Sequence, residues 1–381
     1  MDAGLDENNE RALAVTPKPT RRPTAKTLIP PIAPGAVYRA FVTPPTFQPG
    51  NFSKGAVSTD KRVKLSNGLS AKPIAQSGEF LALGGGVKST SRFHRLPDAA
   101  GVFSKRNGGW YYVSNAESPT AGRNWTDGGV GSMEFNSHGK IVNYTRVATT
   151  TRHNCGGGVT PWNSWVSGEE ITDGGLWQID PRGIRAEAKT GLGSLGKYES
   201  FTFDTSTAIP TFYATRDFKN GVLTRFTPNA QGMECYKKTA DLDRWCTLDY
   251  GTLDFLLISG DASGTFQWTK NRTKAQLNAE KYYPNAEGID VVDSTLFFTA
   301  KLLKRLVILD LKKMTYTYSS TVSGLFKEQP DQVRRIVPNK DSVLYFCEDV
   351  SCRSSYSCCF SGRLHADSPT RMPLISIPRA A

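Results

Sequence analysis

Between Arg152 and Glu170 the chain places one thiol, Cys155, three glycines (Gly156, Gly157 and Gly158), two indoles (Trp162 and Trp165) and two adjacent carboxylates (Glu169 and Glu170). The glycines let the backbone take positive φ and approach a ligand closely, and the segments around Trp162 and Trp165 punctuate and restart an extended run. A thiolate suits a softer transition metal, whereas carboxylate oxygens suit a hard cation such as calcium. The chemistry to which this combination points is a metal site built into a β-sheet. Taken alone, Cys155 has the competing reading of a buried thiol or half a disulfide, and Glu169-Glu170 reads more readily as a solvated strand end than as a ligand pair.

Further acids recur at a blade-like distance. Glu199, Glu287 and Asp331 follow Cys155 at steps of 44, 88 and 44 residues. A four-stranded propeller blade takes about 40 to 50 residues. Each acid opens a comparable unit: Glu199-Ser-Phe-Thr-Phe-Asp204 leads to Phe-Tyr-Ala-Thr-Arg-Asp217, Glu287-Gly-Ile-Asp-Val-Val-Asp293 to Leu-Phe-Phe-Thr-Ala-Lys301, and Asp331-Gln-Val-Arg-Arg-Ile-Val337 to Val-Leu-Tyr-Phe-Cys-Glu-Asp349. The innermost strands of a propeller face a central channel, so a residue at one phase of successive blades converges on the axis. Carboxylates gathered there, with Glu169, Glu170 and Glu117, repel one another unless cations intervene. Asp243 falls at the missing 44-residue step but has no strand context, so it is left outside the site.

The elements that must position these groups are strands. Gly109–Ser114, Ile141–Thr149, Trp162–Ser167, Gly175–Ile179, Ser200–Asp204, Thr211–Thr215, Leu223–Thr227, Thr295–Ala300, Leu306–Leu311 and Ser342–Cys347 have strand length and composition. Lys270–Lys281 is the best helical candidate. The fold class expected is all-β, a propeller of five to six blades over residues 60–365, after a basic, Pro-rich arm (1–55) and before a short tail (366–381).

The run Asn154-Cys155-Gly156-Gly157-Gly158-Val159-Thr160-Pro161-Trp162, with Trp165 and Glu169-Glu170, resembles the signature of the PhoX-type alkaline phosphatases, a β-propeller family. Gly109–Glu117 and Gly128–Gly131 resemble the preceding blade, and Tyr198-Glu199-Ser200, Ala286-Glu287-Gly288, Pro330-Asp331-Gln332 and Cys347-Glu348-Asp349 follow in the family's order. The resemblance implies a phosphomonoesterase with ferric and calcium ions. It implies Cys155 as an iron thiolate, with Glu199, Glu287 and Asp331 as acidic ligands and Glu169-Glu170 on the calcium side. Cys155, Glu199 and Glu287 would then be the catalytic centre. The substrate implied is a small anionic phosphate ester, handled by a monomer. Asn285, Tyr198 and Arg216 depart from the family's Arg, His and Glu, and its final blade has no counterpart after Asp349. An open edge is expected there unless the amino-terminal segment closes the ring. The alternative is a catalytically degenerate propeller serving as a secreted metal-binding or structural module.

Composition narrows the classes. The chain has 381 residues and a formal charge of +12, which reads first as a solvated surface with a basic amino-terminal arm and second as long-range attraction for anionic ligands. No run of Lys and Arg interleaved with aromatics points to nucleic acid, and no apolar stretch is long enough for a membrane span. Seven cysteines leave six if Cys155 binds a metal; Cys235 with Cys246, or Cys347 with Cys352, are close enough to bridge. Sequons at Asn51, Asn124, Asn143 and Asn271 agree with a secreted protein, although Met1–Glu10 lacks the apolar core of a signal peptide. A gene model truncated at its start would reconcile the two. Trp162 and Trp165 read as packing residues, His94 and His153 as structural, and Gly84–Thr90 as a turn rather than a phosphate loop.

Overall fold

The computed structural model describes residues 73–322 and 327–336, together with the strands at 56–57, 64–65, 343–350, 358–365 and 375–378. The expected arm at 1–55, Asn51 and Cys352 lie outside the described residues.

Alternating apolar and polar residues separated by Gly, Asn and Asp turns fold into successive antiparallel sheets, each built in chain order from the inside outward. Two short pairs come first, β1 (Ala56–Val57) with β2 (Lys64–Leu65) and β3 (Phe80–Ala82) with β4 (Lys88–Arg92). Gly84–Gly86 makes the turn between β3 and β4, as its composition indicates. The first blade is β5 (Pro97–Ser104), β6 (Trp110–Ala116), β7 (Gly129–Phe135) and β8 (Ile141–Ala148). The second is β9 (Asn154–Val159), β10 (Trp165–Glu169), β11 (Leu176–Ile179) and β12 (Ala188–Lys189). The third is β13 (Tyr198–Asp204), β14 (Thr211–Arg216), β15 (Thr224–Pro228) and β16 (Gly251–Gly260), extended by β17 (Ser263–Thr269). The fourth is β18 (Ala286–Val292), β19 (Thr295–Ala300), β20 (Arg305–Asp310) and β21 (Thr315–Ser320), and the fifth β22 (Gln329–Ile336), β23 (Val343–Val350), β24 (Cys358–His365) and β25 (Ile375–Pro378). β25 falls within the stretch expected to be a tail and instead pairs as the outer strand of the fifth blade.

The innermost strands β5, β9, β13, β18 and β22 stand side by side in chain order, which is the arrangement of a β-propeller. The 88-residue step from Glu199 to Glu287 contains one blade, not two. Its extra length is taken by α1 (Ala230–Tyr236), a 3-10 segment (Asp241–Leu248) that holds Asp243, the strand β17, and α2 (Arg272–Tyr282), which realises the helix expected at Lys270–Lys281. β17 also pairs with β21, joining the outer edges of the third and fourth blades and covering two strand edges that would otherwise be open to pairing.

Apolar cores lie between neighbouring blades. Trp165, Val113 and Ile179 fill the space between the first and second. Trp162, Phe201 and Phe212 fill that between the second and third, and Leu223, Leu256, Phe298 and Val307 that between the third and fourth. Both tryptophans are therefore packing residues. Trp162 Nε1 donates to Gln178 Oε1 at 3.0 Å and Trp165 Nε1 to Asn115 Oδ1 at 2.9 Å. His94 is buried between the Tyr144 and Ser114 hydroxyls, a structural role. Cys235 and Cys246 form a disulfide across α1 and the 3-10 segment.

Candidate metal centre

All five innermost strands carry the same irregularity. In the first blade Pro97 pairs with Ala116 and Ala100 with Ser114, leaving Asp98 and Ala99 opposite one residue. The equivalent bulges hold Cys155-Gly156, Glu199-Ser200, Glu287-Gly288 and Asp331-Gln332. A β-bulge re-aims a side chain and increases the local twist. Here the first residue of each bulge is Asp98, Cys155, Glu199, Glu287 or Asp331, and these five converge.

Three overlapping sets result: Asp98, Glu117 and Cys155; Cys155, Glu170 and Glu199; Glu199, Glu287 and Asp331. Each residue offers one ligand atom, and the ligand atoms of a set lie within 4.8 Å of one another. Oxygens bound at 2.3–2.6 Å on opposite sides of a calcium ion are about 5 Å apart, so each set matches the width of one hard cation. Cys155 links the first set to the second and Glu199 the second to the third, giving a row of three adjoining positions. Only the sets containing Cys155 offer a soft ligand, the kind a transition metal prefers.

Close approach of the strands makes this convergence possible. A methyl group on Gly156 would fall 1.5 Å from the Glu199 carbonyl oxygen, and one on Gly288 2.3 Å from Val333 N. Side chains from one blade also hold the bulge of the next. Asn115 Nδ2 donates to Cys155 O at 2.6 Å and Gly156 O at 2.8 Å, Thr215 Oγ1 donates to Glu287 O, and Thr299 Oγ1 to Asp331 O at 2.6 Å. Asn115, Thr215 and Thr299 each precede the last residue of the second strand of their blade, so the stitch repeats.

One residue beyond the end of that second strand lies a further set of charges: Glu117, Glu170, Asp217 and Lys301. Lys301 Nζ sits 2.8 Å from Glu287 Oε1 and 3.4 Å from Asp217 Oδ2. The buried Glu287 Oε1 makes no directed hydrogen bond, so the distance is that of an ion pair held by charge rather than by alignment. Lys197 Nζ approaches Glu170 Oε1 at 3.5 Å. Gln332 Nε2 donates to Glu199 Oε1 at 2.5 Å, and the Cys155 thiol donates to Asp98 Oδ2 at 3.0 Å.

Burial pushes the Glu199 carboxyl well above the ordinary carboxylate range, and the charges of Asp331, Asp98 and Glu170 push it further. Glu287 is raised by burial and then by Glu199 and Asp217, against the opposing pull of Lys301. Burial raises the Cys155 thiol too, with Asp98 and Glu199 adding to it. A cation among them would relieve this mutual repulsion.

Of the residues expected from sequence, Cys155, Glu199, Glu287, Asp331, Glu170 and Glu117 are brought together. Glu169 is not. Adjacent residues of a strand point to opposite faces, and Glu169 turns into its blade, where it accepts from Arg152 N at 3.1 Å, Gly175 N at 3.1 Å and Trp177 Nε1 at 2.8 Å. Tyr198 and Arg216, cross-strand partners at the equivalent positions of the third blade, turn away likewise. The Tyr198 hydroxyl donates to Leu192 O at 2.8 Å, and the Arg216 guanidinium to the carbonyls of Gly196 and Leu195. Arg216 therefore puts no cation into the centre; Asp217 occupies the inward position. Asn285 does reach the centre, donating to Asp217 Oδ1 at 2.5 Å. Asp98, Asp217, Lys301 and Gln332 escape a search by repeat distance. A pair made of an inner-strand acid and a charge 14 to 19 residues later, as in Asp98 and Glu117, is the signal that finds the first three.

No family model and no curated protein matches the chain. Among solved structures, it is similar to a luciferin-regenerating enzyme (9% identity, TM-score 0.41, covering 76% of this chain and 92% of that one). It is also similar to the β-propeller domain of Myceliophteria thermophila Cps50 (10%, 0.40, 74% and 72%) and to a GH43 β-xylosidase/α-arabinofuranosidase from a compost metagenome (8%, 0.40, 74% and 95%). At these values the likenesses decide nothing about chemistry, and the propeller is read from the chain's own strand order. No helix among the described residues is long and apolar enough to cross a membrane.

Proposed function

We propose that this chain is a metal-dependent phosphomonoesterase of the PhoX type, holding calcium and iron at the three adjoining positions and acting on small anionic phosphate esters. The observation that carries the reading is the convergence of Asp98, Cys155, Glu199, Glu287 and Asp331 from five equivalent bulges; the order of motifs around Cys155 and Glu287 supplies the family. Bound cations would polarise phosphoryl oxygens and favour an oxygen nucleophile. Cys155 would supply the thiolate, with Asp98 and Glu117 on one side and Glu170 and Glu199 on the other. Glu287 and Asp331 would share Glu199 with that set. Lys301, ion-paired to Glu287 and Asp217, would supply fixed positive charge near an incoming phosphate, and Gln332 would orient Glu199. The Cys235–Cys246 disulfide and the exposed sequon residues Asn124, Asn143 and Asn271 support secretion into an oxidising compartment.

Lys301 also favours a second reading, a metal-binding module without turnover. It stands where the first three blades have Glu117, Glu170 and Asp217, and so replaces an acid by a cation. Metal content by mass spectrometry, measured beside hydrolysis of p-nitrophenyl phosphate with and without calcium, separates the two. Iron and calcium with turnover that Cys155→Ala abolishes supports the enzyme. Calcium without turnover supports the module, and a protein that takes up neither metal rejects both.

A further inference from the structure

The two sets that contain Cys155 are built alike. Each takes the first bulge residue of one blade, the residue just past the second strand of that blade, and the first bulge residue of the next: Asp98, Glu117 and Cys155, then Cys155, Glu170 and Glu199. Carried one blade further, the same construction gives Glu199, Asp217 and Glu287. The backbone shows that these places are equivalent. Glu117, Glu170, Asp217 and Lys301 donate their N–H groups to the carbonyls of Leu96, His153, Lys197 and Asn285, at 2.9, 2.8, 2.9 and 2.9 Å. Each acceptor is the residue just before the inner strand of its blade. All four have positive φ, of 47°, 45°, 53° and 53°, a region that residues other than glycine enter rarely. One repeated device therefore sets the four end residues.

Asp217 nevertheless belongs to none of the metal-sized sets among the described residues. The ammonium of Lys301 stands between two members of its set: Nζ is 2.8 Å from Glu287 Oε1 and 3.4 Å from Asp217 Oδ2. A calcium ion would draw the same oxygens in to about 2.3–2.6 Å. Glu287 is 2% exposed, and despite the contact its Oε1 receives no aligned hydrogen bond. A buried carboxylate oxygen with positive charge beside it and no directed donor suits a spherical ion, which imposes no donor angle. Asn285 Nδ2 holds the other oxygen of Asp217 at 2.5 Å, and Asn285 Oδ1 is itself buried without a donor. Two carboxylates from neighbouring blades and a cation between them are therefore already assembled at the place that the series assigns to a metal.

We infer that Lys301 plugs a further calcium position, formed by Glu199, Asp217 and Glu287 between the third and fourth blades, and that its tethered ammonium stands in for the ion there. The inference rests on the metal-binding reading of the hub and deepens it by fixing where the row of ions stops. An ammonium carries one positive charge against two for calcium, but it is part of the chain and always present. Glu287 and Asp217 thus have a cation beside them without metal, whereas the sets around Cys155 await one. Replacing Lys301 by a neutral side chain of similar length opens the position.

The test is titration calorimetry of the full chain, prepared free of metal, with calcium alone. Lys301→Met should bind about one calcium equivalent more than the wild type, since two carboxylates and a shared third ligand match a hard cation. Lys301→Arg should bind the same number as the wild type, because the cation stays. Adding Asp217→Asn to Lys301→Met should return the count to that of the wild type. Asp217→Asn in the otherwise unaltered chain should lose no calcium, in contrast to Glu170→Gln at the equivalent place of the second blade; this arm decides the matter even if Lys301→Met does not fold. An unchanged count in folded Lys301→Met, or loss of an equivalent in Asp217→Asn, overturns the inference. A wild type that takes up no calcium rejects the metal-binding reading of the hub. In that case an equivalent gained by Lys301→Met still supports the plugged position, and no gain overturns it as well.

Discussion

Cys155 and Asp98 meet across two blades, the thiol donating to Oδ2 at 3.0 Å, although 57 residues separate them in the chain. They are the first residues of equivalent bulges in β9 and β5. If the pair holds a cation with Glu117, Asp98→Asn should remove about one bound metal equivalent and lower metal affinity by at least about 10-fold, since altering even a group that only orients a ligand costs about 10- to 100-fold. The fold should persist, since the amide keeps the shape and can still accept from Sγ. Metal analysis and circular dichroism of the same sample check both parts.

The neighbours Glu169 and Glu170 should separate stability from metal binding. Glu169 accepts two backbone N–H groups and an indole, so Glu169→Ala strands buried donors and should cost about 2–4 kcal/mol, while metal uptake by the folded fraction is unchanged. Glu170 is raised by burial and by Asp217. Glu170→Gln should therefore leave the melting temperature of metal-free protein equal or higher and reduce metal uptake. Denaturant titration and metal analysis of the two variants give opposite outcomes.

Much of the fold and of the centre is legible in the sequence. Short strands between turn residues specified the all-β class, and Cys155, Glu199, Glu287 and Asp331 opened comparable units because an inner strand must begin at the same place in every blade. Asp98 was hidden because its blade is separated from the next by 57 residues, through the long Glu117–Gly128 connection, and because Pro97-Asp98-Ala99 shares no sequence with the other bulges. Glu169 cannot be told from Glu170 in sequence, because two consecutive acids give no sign of which one faces the axis; the pairing of Asn154 with Glu169 decides it. The 88-residue interval invited an extra blade, whereas two helices, a 3-10 segment and the bridging strand β17 consume the length. Side-chain stitches such as Thr215 to Glu287 O depend on inter-blade register, which composition and spacing do not encode.

The pH dependence of stability should change sign across the acid range. Folding raises Glu199, Glu287 and Glu170 above the ordinary value of 4.5, so their stabilising share is full below 4.5 and drains away as pH rises through the folded values. His94 runs the other way. Burial lowers it from 6.5 to about 3, so its share is full above 6.5 and is lost as pH falls toward 3, by about 1.4 kcal/mol per pH unit within that window. Metal-free protein should accordingly be most stable in the weakly acidic range, and His94→Gln should flatten the acid limb. Calcium, which displaces the carboxyl protons, should raise the melting temperature more at pH 8 than at pH 5.5. A shift equal at both values would show that these carboxyls do not meet the ion.

The most direct measurement is anomalous diffraction from crystals of the chain grown with calcium and iron. Metal peaks are expected at the hub, within about 2.0–2.6 Å of Glu199 oxygens and the Cys155 sulfur, with Asp98 or Asp331 completing the neighbouring positions. Density without metal at the hub, or Cys155 Sγ standing more than about 10 Å from the Glu199 carboxylate when both are bonded at such lengths, would contradict it.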